Sequence, residues 1–142
     1  MNPTPAKSYW VGSGLTAAIV TALLAVYAHM AHVSPFWVAV GALPMAVIGV
    51  VGGTFTARCL GRPGSAFIVA VGSCILTRLA TALVGAVAMR IWGGSGLQPY
   101  LIGLAVMFAA MQIFEIVWFY RHGIQLAKTA SASSAAYPTP TK

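Results

Sequence analysis

Four long apolar runs, separated by short links rich in proline and glycine, organise this chain. They cover about 10–31, 36–57, 66–92 and 100–120, each near the roughly 20 residues a helix needs to cross hydrocarbon. The runs are continuously apolar, whereas strands of an outer-membrane barrel alternate apolar and polar positions. Helices also satisfy their own backbone inside lipid. The links at 33–35, 58–65 and 93–99 are short enough to make consecutive helices antiparallel. The pattern predicts an all-α, integral membrane four-helix bundle of up-down topology at 9–123. A flexible start at 1–8 and a disordered tail at 124–142, rich in Ala, Ser, Thr and Pro, flank it.

Composition sharpens this into a membrane protein. Of 142 residues 59% are hydrophobic and 6% charged, against roughly a quarter charged in a soluble domain. Lys7, Arg58, Arg62, Arg121, Lys128 and Lys142 all fall on one side of the predicted bundle, and Arg90 is the exception. The positive-inside rule therefore puts both termini in the cytoplasm. Tyr9, Trp10, Trp118 and Tyr120 are expected at the inner interface, and Phe36, Trp37, Trp92 and Tyr100 at the outer one. The net charge of +7 is spread along two edges, which suits anionic lipid headgroups and not nucleic acid. A cleaved signal peptide is the weaker account of the first run, whose apolar region is too long.

Small residues suggest how the helices pack. Ala42, Ala46, Gly49, Gly53 and Ala57 form a stripe on the second run, matched on the first by Gly14, Ala18, Thr21, Ala25 and Ala28. Packing of helix one on helix two within one chain is the expectation, and a homodimer seam is the alternative. Pro44, inside the second run, predicts a kink.

The chemistry concentrates in two residues. Glu115 is the sole acidic side chain, and Arg78 lies in the middle of the third run. Charges at that depth persist when paired or facing water. Cys74, Thr77, Arg78 and Thr81 recur at helical spacing, and Met111, Gln112 and Glu115 share a side of the fourth helix. Helical rise leaves ~10 Å of vertical offset between Arg78 and Glu115, and each side chain leans towards the other. An Arg78–Glu115 pair with Gln112 or Thr77 completing its hydrogen bonds is the central expectation. Such a pair can fix helix register, dock a partner subunit or relay an ion. His29 and His32 lack further ligands for a metal, and Cys59 and Cys74 are predicted at different depths, against a disulfide. No catalytic set, cofactor motif or metal site emerges, so a non-enzymatic role is expected.

The stretch 41–122 resembles the ATP synthase protein I family of small bacterial membrane proteins. The likeness rests on VIGVVGG at 47–53, a short basic link, GSCILTR at 72–78, and a fourth span at 104–121 carrying Gln112 and Glu115. It implies a four-span protein of the bacterial inner membrane that assists assembly of the c-subunit ring of F-type ATP synthase. By position Arg78 and Glu115 would be the family's polar residues. A suggested magnesium role fits a lone carboxylate beside an arginine poorly. A small transporter or flippase subunit, or a structural subunit of another membrane complex, is the alternative.

Overall fold

Proline marks where the long helices begin, because its fixed φ and missing N–H are tolerated in a first helical turn. The structure, a computed structural model, describes residues 5–60, 65–92 and 94–135, with side chains as far as Ile124. Helix α1 spans Pro5–Met30, α2 Pro35–Cys59, α3 Ala66–Trp92 and α4 Leu97–Ala135, with a 3-10 turn at Gly94–Gly96 before α4. Pro99 sits in the first turn of α4. No strand occurs among the described residues, and all four helices are long and apolar enough to cross a membrane.

The ends depart from expectation. α1 starts at Pro5, so 5–8 is helical where a flexible start was expected. α4 continues to Ala135, where composition points to disorder from 124. Alanines at 127, 130 and 132 carry the highest helix propensity and sustain it past the apolar segment. Residues 1–4, the link positions 61–64 with Arg62, Gly93 and the end of the tail at 136–142 lie outside the described residues.

The α1–α2 corner is a Schellman motif. Val33 N–H reaches the Ala28 carbonyl at 3.1 Å and His32 N–H the His29 carbonyl at 3.4 Å. His32 takes the left-handed position at φ 52°, usually held by glycine. His32 is thus a helix terminator, and no group of three or more metal-capable side chains assembles among the described residues.

α2 is the central helix. It buries Val38, Gly41, Ala42, Met45, Ala46, Gly49, Gly53 and Ala57. Its start faces the start of α4 at very close range. A Cβ at Gly41 would collide with the Tyr100 carbonyl, and one at Gly103 with the Val38 carbonyl. Further along, Gly49 meets Met111, and Ala57 joins Trp118 in one apolar cluster. Helices distant in sequence therefore make the tightest backbone contact. α2 is helical throughout, including Pro44.

α1 covers the other side of α2 with a face that the small-residue stripe does not describe. Tyr9, Ser13, Leu24 and Ala28 are its buried positions, while Gly14, Ala18 and Ala25 are exposed. Of the α1 half of the expected pairing, Ala28 alone is buried, although all five α2 positions are. Volume decides this: the glycine stripe of α2 accepts large side chains, and Gly53 is where the Tyr9 ring sits. α3 is the least embedded helix, burying Ala70, Arg78 and Met89.

Candidate functional site

Side chains from α1 and α3 converge on one carboxylate of α4, and α2 borders the site. Arg78 projects from α3 into the bundle and is 1% exposed, and Glu115 on α4 is 12% exposed. The guanidinium holds the carboxylate as a fork. Its Nη1 donates to Glu115 Oε2 at 2.9 Å and its Nη2 donates to Glu115 Oε1. Nη1 also donates to Gln112 Oε1, one turn earlier on α4. A bidentate charged pair of this kind is the strong form of the arginine–carboxylate contact.

α1 supplies the partner that sequence reasoning missed. The Tyr9 hydroxyl donates to Glu115 Oε1 at 2.8 Å, with the Gly49 carbonyl as a longer alternative acceptor at 3.2 Å. A phenol has one proton, so the shorter, charge-assisted contact dominates. The Tyr9 ring is fully buried, edge-on to Phe114 at 5.5 Å and to Trp118 at 5.2 Å. Of the aromatics expected near the interfaces, Tyr9, Trp118 and Tyr100 turn into the bundle, whereas Trp10, Tyr120 and Trp92 are exposed. No short-range signal separates Tyr9 from Trp10. The requirement that a lone buried carboxylate find a second donor could have singled it out.

The α2 glycines make the space. A Cβ at Gly53 would fall within the Tyr9 ring, and one at Gly49 would press on Met111 and the Arg78 guanidinium. Gly49 and Gly53 are thus packing residues, serving α4 and α1 respectively, and both border the polar centre.

Thr77 is not part of it. Its side chain is exposed and its hydroxyl donates to the Ser73 carbonyl at 2.8 Å, while Thr81 donates to the Thr77 carbonyl at 2.8 Å. Thr77 is one residue, about 100° around the helix, from Arg78. Threonine in a helix can satisfy its own hydroxyl on the preceding turn, so it need not face the interior. Arg78 Nε and Trp118 Nε1 are buried without a hydrogen-bond partner.

A cleft of about 250 Å³ between α3 and α4 reaches the pair from outside. Gln112 and Glu115 line it, with Cys74, Ile75, Ile116 and Phe119 among the other walls. Cys74 Sγ lies 2.7 Å from where a Cβ on Gly52 would be, and both Cys59 and Cys74 are free thiols. The arrangement therefore neutralises one buried cation with one anion and leaves that anion beside a narrow opening. Comparison with protein-family models, curated proteins and solved structures finds no match.

Proposed function

We propose that this protein is a non-enzymatic accessory or assembly factor of a membrane complex, acting through the Arg78–Glu115 centre and the weakly covered helix α3. In this reading the four helices run antiparallel in sequence order across a bacterial inner membrane, with both termini cytoplasmic. The membrane sector of F-type ATP synthase, with its c subunit as the client, is the candidate complex that the sequence resemblance names.

The observation that carries the reading is how α3 is held. Its buried contacts are Ala70 and Met89 near its ends, and a charged arm in between. A helix tied to its bundle at its centre by an ion pair, and elsewhere by partly buried contacts such as Cys74 on Gly52 and Gly85 on Tyr100, is the element best placed to exchange neighbours. Were Arg78 to swing to a polar group of a client helix, Glu115 would keep one hydrogen bond, from the Tyr9 hydroxyl, so the exchange requires the client to bring a cation or donors to the carboxylate in the place of Arg78. Transport would instead require the carboxylate to cycle while held by both Arg78 and Tyr9.

The test is affinity capture from gently solubilised native membranes, comparing wild type with the double variant Arg78→Leu/Glu115→Leu. That variant removes both charges without stranding either. Recovery of ATP synthase membrane subunits by the wild type and their loss with the double variant is the expected result. Equal recovery by both would reduce the pair to an internal clamp. Recovery of some other complex would overturn the ATP synthase assignment.

A further inference from the structure

Lys7 and Arg58 meet at one end of the bundle. Lys7 lies in the first turn of α1 and Arg58 in the last turn of α2. The start of α1 packs on the end of α2, as Tyr9 against Gly53 records. Both cations therefore border one cleft of about 380 Å³, completed by Ala6, Trp10 and Thr54.

The charge inventory makes this cleft informative. Glu115 is the sole acidic side chain of the sequence, and Arg78 already holds both of its oxygens. Lys7 and Arg58 thus have no acidic side chain of this sequence to meet, which leaves their cleft free to receive an external anion. The Thr54 hydroxyl donates its proton to the Val50 carbonyl, so the donors left for an anion are the two cations and the Trp10 indole.

Depth and neighbours identify the anion. The cleft lies at the ends of two membrane-spanning helices, the level of phospholipid headgroups. Trp10 is 59% exposed there, as interfacial tryptophans are. Towards the bilayer centre the same helix faces continue as Val11 and Gly14 on α1 and Val51 and Val47 on α2, all exposed. A phosphate seated between Lys7 and Arg58 would hang its acyl chains along that surface. We propose that the Lys7–Trp10–Arg58 cleft binds the headgroup phosphate of an anionic phospholipid from the adjoining leaflet.

Native mass spectrometry of the detergent-solubilised full chain, titrated with phosphatidylglycerol or phosphatidylcholine, tests this. The wild type should retain phosphatidylglycerol preferentially. Lys7→Gln and Arg58→Gln should each weaken that binding about fivefold, and Lys7→Arg should leave it unchanged. Arg121→Gln, an exposed cation outside the cleft, should also leave it unchanged. Equal retention of both lipids would overturn the proposal. An equal loss with Arg121→Gln would assign the effect to general surface charge and overturn it too. Displacement of phosphatidylglycerol by excess inorganic phosphate would make this a soluble-anion site and not a lipid site.

Discussion

The value of Glu115 lies in what each neighbour does for its charge. Arg78 neutralises it, the Tyr9 hydroxyl donates a hydrogen bond to it, and Gln112 takes up part of the guanidinium that the carboxylate does not. Losing the carboxylate alone leaves a cation buried among neutral groups. Glu115→Gln should therefore lower stability by about 3–5 kcal/mol, read from unfolding in mixed micelles. The double change to leucine should return to within about 1 kcal/mol of wild type, since apolar pairs of similar volume often replace buried ion pairs without loss. A double variant as unstable as Glu115→Gln would mean the hydrogen bonds, and not the charge balance, hold the site. His32 offers an independent check on local strain. Its φ of 52° costs a side-chain residue about 1 kcal/mol that glycine avoids, so His32→Gly should stabilise the protein by that amount in the same assay.

At the scale of helices, glycines with the same sequence appearance have opposite roles. Gly53 faces the Tyr9 ring, and a methyl group there has to displace it. Gly14 faces open space. Gly53→Ala should cost about 1–3 kcal/mol by overpacking, while Gly14→Ala should be neutral or stabilising by up to about 1 kcal/mol through helix propensity. Equal losses at both would show that α1 packs through its small-residue stripe after all. The contrast also explains what could be read in the chain. Span positions follow from apolar run length, and the Arg78–Glu115 pair from the expense of isolated charges in lipid, so both were legible. Which face of α1 turns inward was not, because membrane helices lack a polar side to mark the outside. The α2–α4 approach at Gly41 and Gly103 was also hidden, since it joins helices that no short link connects. Thr77 misled for a related reason: its hydroxyl bonds its own helix, so its polarity says nothing about direction.

In the molecule as a whole, α2 binds the bundle and α3 is its detachable member. α1 and α4 rest on α2 along the cluster that joins Leu24, Val38, Met45 and Met107. α3 contributes no fully buried residue to that cluster, Ala82 only resting against it, and it meets α4 through Arg78, the Phe67–Phe119 ring contact and Gly85 against Tyr100. Weakening the pair should then loosen α3 before the rest. The two native thiols report on this without added labels. Cys74 packs against Gly52 on the α2–α3 seam, and Cys59 is buried at the end of α2. In Glu115→Gln, modification of Cys74 by a small thiol reagent in detergent should accelerate about tenfold or more, with Cys59 little changed, because local opening draws on the element with fewest buried contacts. In the double leucine variant Cys74 should stay as slow as in wild type. Parallel acceleration of both thiols would indicate that the four helices open as one unit. An unchanged Cys74 rate would show that apolar packing holds α3 without the charge, and the exchange of partners at Arg78 would lose its physical basis.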